Sequence, residues 1–186
     1  MRVTREKAAE NRERIVAAAS RLFREQGFDG VGLDAIMEEA GLTHGGFYRH
    51  FGSKDDLAAE AVARGLAASA QRQEALDSLP AFVAGYLSPR HRDDRGGGCV
   101  MAALAGDIAR QGPGVRRRLS ASLRTLIGRI AGWIGGRPAA AREQAIATVA
   151  GLVGAVVLAR AVDDPALSAD ILAAARKAYG GRAQRR

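Results

Sequence analysis

The sequence predicts an all-α protein, and three observations lead to that prediction. Apolar residues recur at helical spacing along most of the chain, beginning with Ile15, Ala18, Ala19, Leu22 and Phe23. No segment alternates apolar and polar residues as a half-buried strand does. Glycine follows several of the helical patterns at the place where a helix ends, as at Gly27 and Gly41.

Length and charge bound the class of protein. The 186 residues can bury a core and fit one or two domains, and the single Cys99 excludes a disulfide within the chain, which agrees with a cytoplasmic location. The net charge of +8 favours a polyanionic partner, although residues 1–65 carry one more acidic than basic residue. The longest uncharged apolar run, residues 145–159, is shorter than a bilayer span, so we expect no membrane segment and no signal peptide.

Residues 33–54 have the pattern of a helix-turn-helix. The first helix has an apolar stripe formed by Leu33, Ile36, Met37 and Ala40. Gly41 stands where a helix end needs positive φ, and Thr43 is expected to cap a second helix of eight or nine residues, about 12 Å long. In that helix Phe47 and Phe51 face inward. The polar residues left on its outer side are His44, Tyr48, Arg49 and His50.

At these residues the chain resembles the TetR family of transcriptional regulators, over about residues 11–61. The most specific part is residues 47–54, where an aromatic pair, a histidine, an aromatic, a short polar turn and a lysine follow one another. The resemblance implies a three-helix DNA-binding domain in residues 1–53. It also implies a linking helix, 54–75, which opens a ligand-binding and dimerisation domain in residues 54–186. Double-stranded operator DNA is the expected partner.

The resemblance also assigns roles in DNA binding. The expected phosphate contacts are Tyr48, His50 and Lys54, and the expected base contacts are Thr43, His44, Gly45, Gly46 and Arg49. Arg5 belongs to a basic arm, residues 1–5, that is expected to be disordered until it meets DNA. Family members commonly have larger residues at Gly45 and Gly46, so base reading is expected to rest on the side chains of Thr43, His44 and Arg49. Many members have a phosphate-contacting Thr at Gly32, which offers no hydroxyl here.

The remaining helical patterns cover residues 79–87, 99–110, 115–134, 139–161 and 163–179. Residues 88–98 are predicted to be a polar loop. Its His91, Asp93 and Asp94 are interpreted as solvated in preference to a metal site, because no other ligands stand at metal spacing. Cys99 is interpreted as a small buried residue in preference to a thiol sensor. No metal or cofactor is expected.

A small-molecule effector is expected to bind among apolar residues of these helices, although each of them is more often plain core. The expected pocket walls are Phe82, Tyr86, Leu87, Met101, Leu104, Ile108, Leu126, Ile130 and Trp133. Such a lining suits an aromatic or aliphatic molecule.

The helix over residues 139–161 is apolar nearly all round, which predicts burial on every side. With the last helix it resembles the family's dimerisation pair, which forms a four-helix bundle with a symmetry mate. The expected interface residues are Ile146, Val149, Leu152, Val153, Val156, Val157, Leu167 and Ile171. A helix buried within one subunit remains the alternative.

These features predict a TetR-like regulator: a cytoplasmic homodimeric repressor that binds a palindromic operator and leaves it when a small molecule binds. No catalytic triad or carboxylate pair falls at a plausible spacing, and two of the three histidines lie in the second helix of the motif, so an enzyme is not expected. The alternative is a helical protein-interaction adaptor with a vestigial helix-turn-helix.

Overall fold

The computed structural model describes residues 5–181. Over that range the chain forms nine α-helices, one 3₁₀ helix and no strand, so the all-α prediction is confirmed. The elements in chain order are α1 (Arg5–Gln26), α2 (Leu33–Glu39), the 3₁₀ helix (His44–Arg49), α3 (Lys54–Glu74), α4 (Leu79–Tyr86), α5 (Pro89–Asp93), α6 (Val100–Ile108), α7 (Pro113–Ile134), α8 (Pro138–Ala161) and α9 (Pro165–Gly180).

The helix bounds depart from the sequence prediction at two places outside the helix-turn-helix. α1 begins at Arg5, which was expected to be disordered, while residues 1–4 of the predicted arm lie outside the described residues. The predicted loop 88–98 contains α5. This helix forms because the Ser88 hydroxyl accepts a hydrogen bond from the N–H of His91 (3.1 Å) and Pro89 occupies its first turn.

One hydrophobic core joins α1, α2, the 3₁₀ helix and the first half of α3. Its fully buried side chains include Ile15, Phe23, Ile36, Phe47 and Leu57. The same core continues into α6 and the start of α7 through Val100, Leu104, Ile108 and Val115. The amino-terminal helices are therefore packed directly against the carboxy-terminal half, in addition to being joined to it by α3.

Gly65 allows the close approach of α3 and α6. A Cβ atom at Gly65 would lie 2.6 Å from Cγ2 of Val100 and 3.2 Å from the hydroxyl of Ser20. Both distances are shorter than a normal van der Waals contact. A glycine in the middle of a helix costs about 1 kcal/mol relative to alanine, and here the packing between the two helices requires it.

A second core lies among α4, α7, α8 and α9. Its fully buried side chains include Leu79, Val83, Leu87, Ile130 and Leu152. Leu119 of α7 packs against both cores, which makes α7 a second connection between the two halves.

α8 is not buried on every side, contrary to the sequence prediction. Its exposed apolar side chains are Ile146, Val157 and Leu158, whereas Val149, Leu152 and Val156 are buried against the helix's own neighbours. The last three residues belong to the core of their own chain. Their assignment to a dimer interface is corrected accordingly, because no surface is left for a partner to contact.

By length and composition alone, the whole of α8 is long enough to cross a bilayer, although its uncharged run, residues 145–159, is shorter than a span. A helix in the core of a bundle meets the same two criteria, and α8 packs against both α7 and α9.

Candidate functional site

The turn between α2 and the 3₁₀ helix fixes the angle between them. α2 ends at Glu39, and Gly41 takes a φ of +65°, which favours glycine. The N–H of Gly41 donates to the carbonyl of Glu38 (2.8 Å), and the N–H of Leu42 donates to the carbonyl of Met37 (2.8 Å). These two bonds form a Schellman motif, so the predicted helix-turn-helix has a defined turn.

The second helix of the motif differs from the prediction. It is a 3₁₀ helix of six residues in place of an α-helix of eight or nine, and Thr43 precedes it without a side-chain cap. Gly45 and Gly46 give a physical reason, since each glycine weakens an α-helix by about 1 kcal/mol relative to alanine. A 3₁₀ helix rises about 2 Å per residue, so the segment still spans about 12 Å, the width of a major groove.

Aromatic packing fixes the inner side of this helix. The buried Phe47 ring stacks on Phe51 with centroids 5.7 Å apart and meets Tyr48 edge-on at 5.1 Å. The guanidinium of Arg12 lies 4.5 Å from the centre of the Phe51 ring and pairs with Glu60 of α3. Tyr48 is left 66% exposed on the outer side.

Most of the predicted DNA contacts are exposed. Arg5, Thr43, His44, Gly45, Tyr48 and Arg49 are exposed, and Gly46 and His50 are partly exposed. His44 already has a partner, because its Nδ1 lies 2.5 Å from Oδ1 of Asp34 in α2. That contact leaves Nε2 as the ring atom available to a base.

Lys54 makes a contact that the sequence did not predict. Its ammonium donates a 2.6 Å hydrogen bond to the carbonyl of Phe28 and lies 6.0 Å from the centre of the Phe23 ring. The bond joins the start of α3 to the loop between α1 and α2. An ammonium has three donors, so a phosphate contact does not require this bond to break.

Two cavities open beside α3 in the carboxy-terminal half. The larger, about 540 Å³, lies between α3, α4 and the segment 88–99, and Phe82 and Tyr86 line it. The smaller, about 220 Å³, lies between α3, α6 and α7 and is lined by Met101 and Leu126. Ser69, Gln73 and Cys99 line both cavities, so the two adjoin each other.

Five other residues expected at the ligand lie elsewhere. Leu104 and Ile108 are buried in the core that α6 shares with α1 and α3, and Leu87 and Ile130 are buried in the second core. Trp133 lines a separate recess of about 430 Å³ beside Leu79. None of the five lines either cavity beside α3, so their assignment to the ligand wall is corrected.

His91 has a role that the sequence did not predict. Its Nε2 accepts the N–H of Cys99 (3.0 Å), so the ring proton belongs on Nδ1, which donates to the carbonyl of Tyr86 (2.6 Å). Arg160 Nη2 donates to the carbonyl of His91 (2.8 Å). Burial lowers the pKa of His91, which keeps the ring neutral at pH 7. The residue joins α4 and α5 to the start of α6 and is not a solvated loop residue.

Exposed apolar side chains form one face on α8 and α9. They are Ile146, Val157, Leu158 and Leu167. On α8 these positions recur at helical spacing with Ala150 and Gly154, so they share one side of the helix. Leu158, 58% exposed, was not singled out from the sequence, because the surrounding residues are all apolar and do not indicate which side faces outward.

A helix-turn-helix with an exposed second helix, carried by an all-α carboxy-terminal half, defines a helix-turn-helix transcriptional regulator. Residues 15–61 match the model of the bacterial regulatory proteins of the tetR family. The family model and the relatives together support a TetR-family transcriptional regulator.

Individual relatives agree with this assignment. The HTH-type transcriptional regulator LmrA of Bacillus subtilis is 50% identical over 54 residues, which cover 28% of this chain and 29% of that protein. The regulator SAUSA300_2515 of Staphylococcus aureus is 40% identical over 62 residues, 33% of this chain and 34% of that protein. The matched region therefore spans about a third of these relatives. The crystal structure of a TetR transcriptional regulator from Chloroflexus aurantiacus superposes with a TM-score of 0.78 at 26% identity, covering 94% of each chain.

Proposed function

We propose that the protein is a cytoplasmic, homodimeric repressor that binds a palindromic operator in double-stranded DNA and is released by a small-molecule effector. The observation that carries the proposal is the fixed helix-turn-helix, on which Phe47 is buried while Tyr48 beside it is 66% exposed. Tyr48 therefore presents its phenol hydroxyl, a hydrogen-bond donor, on the outer side of the motif, where it can contact a phosphate.

In this proposal the phosphate contacts are made by Arg5, Tyr48, His50 and Lys54. These groups are cationic or are hydrogen-bond donors, and phosphate contacts fix the register of a protein on DNA. The backbone at Gly45 and Gly46 approaches the groove floor, while the side chains of Thr43, His44 and Arg49 face the base edges. Arg49 is the strongest candidate for base reading, because a guanidinium can donate two bonds to one guanine.

The dimer in this proposal forms through the exposed apolar face of α8 and α9. The interface residues are Ile146, Val157, Leu158 and Leu167, with Val153 and Ile171 partly buried beside them. A Cβ atom built at Gly154 meets no other atom within 4 Å, so the backbone of a partner can approach there. We call the 3₁₀ helix and the residue after it, residues 44–50, the recognition segment. Two-fold symmetry then presents two recognition segments to half-sites about one turn of DNA apart.

The proposed division of the chain keeps residues 1–53 as the DNA-binding domain and 54–186 as the ligand-binding and dimerisation domain, linked by α3. α6 gives a second path between the cavities and the DNA-binding domain. Cys99 and Met101 at its start line the smaller cavity, and Leu104 and Ile108 at its end pack with α1 and α3. A ligand that displaces α6 therefore acts on the helix-turn-helix without touching it.

A gel-shift assay with DNA from around the protein's own gene tests the proposal. The wild type is expected to shift one fragment at lower concentration than unrelated DNA of equal length. Footprinting of that fragment should protect two inverted half-sites. Absence of any preferred fragment, in a sample shown by circular dichroism to be folded, would contradict the proposal and favour the adaptor alternative.

A further inference from the structure

The amino-terminal end of α6 lies open at the junction of the two cavities. α6 has nine residues, and Cys99 at its N-cap position makes no side-chain cap. The N–H of Cys99 is taken by His91, but the N–H groups of the first turn have no intrahelical acceptors. Cys99, Val100 and Met101 all line the smaller cavity. A helix start of this kind carries a partial positive charge and favours an anion.

Two buried polar atoms, one in the lining of each cavity, have no nitrogen or oxygen hydrogen-bond partner. One is the hydroxyl of Tyr86, on a residue only 9% exposed that lines the larger cavity. The other is Nη1 of Arg129, in α7 at the smaller cavity. A buried donor without an acceptor costs about 1–3 kcal/mol. Both groups are donors, so an acceptor supplied by a ligand would satisfy them.

The Tyr86 hydroxyl stays protonated at neutral pH and lies beside the side chain of Cys99, the residue that precedes α6. Burial raises the pKa of Tyr86 well above its ordinary value, and the neighbouring Cys99 thiol raises it further. Cys99 lines both cavities, so the hydroxyl lies at their junction. The group is therefore a donor for a ligand and not an acceptor.

The charges around the cavities favour an anion as well. Arg72 and Arg90 line the larger cavity, and Arg129 lines the smaller one. Among residues 5–181, Asp94 is the one carboxylate in either lining, and its Oδ1 already accepts the N–H of Gly97 (2.7 Å). A ligand with a positive charge would face three guanidinium groups and a single carboxylate that already has a partner.

The larger cavity also offers an apolar wall. The rings of Phe82 and Tyr86 lie with centroids 5.6 Å apart, and Leu76 lies beside them. A volume of about 540 Å³ lies within the usual range for a small-molecule site.

We propose that the adjoining cavities bind an amphipathic organic anion, with its carboxylate at the start of α6 and its apolar body along Phe82. Arg129 and Tyr86 donate hydrogen bonds to the carboxylate. The further claim that this molecule is the effector rests on the proposed function, but its binding does not. The carboxylate contacts the first turn of α6, and the same helix packs Leu104 and Ile108 into the amino-terminal core. Binding of the ligand therefore acts on α6 directly and on the amino-terminal core through it.

Titration calorimetry of the full chain without DNA tests the proposal with four probes. They are naphthalene-2-carboxylate and octanoate, each compared with its neutral primary amide. The carboxylates are expected to bind at least about tenfold more tightly than the amides, as charge-assisted hydrogen bonds imply. Equal affinity of acid and amide, or no carboxylate binding up to about 1 mM for either probe, overturns the proposal.

Variants locate the head group. Arg129→Gln should remove the preference for the carboxylate over the amide. Tyr86→Phe should weaken carboxylate binding about fivefold without altering the fold, since the hydroxyl has no nitrogen or oxygen partner and its neighbour, the Cys99 thiol, is a weak one. Arg124→Gln is the matched control, because Arg124 is exposed on the same helix and lines neither cavity. A larger loss for Arg124→Gln than for Arg129→Gln would contradict the assignment. Release of operator DNA, measured separately, tests the proposed function alone.

Discussion

At the residue scale, Lys54 combines a structural contact with a proposed DNA contact. Its hydrogen bond to the carbonyl of Phe28 fixes the ammonium near the end of the recognition segment. An ammonium fixed in this way loses less conformational freedom on meeting a phosphate than a free lysine does. The same argument applies to Tyr48, whose ring is held edge-on against Phe47.

Substitutions at Tyr48 and Lys54 should distinguish the contribution of a hydrogen bond to DNA binding from that of a positive charge. We expect Tyr48→Phe and Lys54→Ala each to weaken binding to all DNA sequences alike, and Lys54→Ala to flatten the salt dependence by about one charge. Arg49→Ala should instead change which base is preferred. Fluorescence anisotropy across a salt series measures both effects. An altered base preference for Lys54→Ala with an unchanged salt slope would show that the roles are wrongly assigned.

His91 should make stability depend on pH. Burial lowers its pKa in the folded state from the ordinary value of 6.5, against the opposing effect of the hydrogen bond to Tyr86, while Arg160, Arg72 and Asp94 lie nearby. The unfolded state then binds more protons, so this contribution is present above pH 6.5 and is lost as pH falls from there toward the folded value.

Urea unfolding between about pH 7 and pH 5 measures this contribution. The wild type should lose free energy of unfolding over that interval, and His91→Gln should lose less of it. Identical pH dependence in the two proteins would mean that His91 does not titrate between the folded and unfolded states. His50→Gln, at a partly exposed position in the recognition segment, is the control.

At the scale of elements, periodicity predicted every α-helix except the five-residue α5. α5 depends on the hydrogen bond that the Ser88 hydroxyl accepts, and the 3₁₀ helix depends on Gly45 and Gly46. Neither feature produces a periodic pattern in the sequence. The exposed side of α8 was also missed. A helix that is apolar all round does not indicate which of its sides its own chain will cover, and only the packing of α7 and α9 decides that.

The same limit applies to the candidate site. The residues of the helix-turn-helix could be predicted because their spacing and their order are local in the sequence. The cavities could not, since they bring together α3, α4, α6 and α7, and no local pattern distinguishes a cavity wall from core. Leu104 and Ile130 have the same apolar character as Met101 and Leu126, but they lie in the two cores.

The packing of α3 on α6 leads to a prediction about glycine. Gly65→Ala should lower the free energy of unfolding by about 1–3 kcal/mol, because the added methyl overlaps Val100, although alanine is the better helix former. Gly128→Ala in α7 should raise it by about 0.5–1 kcal/mol, because no atom lies within 4 Å of the added methyl. Urea denaturation of both variants gives the comparison. Stabilisation by both substitutions would show that α3 and α6 do not pack this closely.

At the scale of the whole molecule, the proposed dimer covers the exposed apolar face of α8 and α9. Gly154→Glu should leave the monomer folded, since open space surrounds the position. In the dimer the new carboxylate would be desolvated in the interface, which should weaken the free energy of dimerisation by several kcal/mol. Gly132→Glu, in equally open surroundings on α7, is the control and should remain dimeric. Light scattering gives the mass of each. A monomeric wild type at micromolar concentration would remove the dimer from the proposed function.

Induction should change the separation of the two recognition segments and not block them. The cavities lie beside the far half of α3, and α3, α6 and α7 are the elements that connect them to the helix-turn-helix. A ligand there acts by preferring one arrangement of these helices, and the coupling needed is about 1–3 kcal/mol, or a 5–150-fold loss of operator affinity.

Linkage makes the effect reciprocal, so saturating operator must weaken ligand binding by the same factor. Calorimetric titration of a candidate ligand with and without operator measures that factor. Equal affinity in the two titrations would exclude that molecule as an inducer, however tightly it bound, because a ligand that does not distinguish two states cannot shift the equilibrium between them.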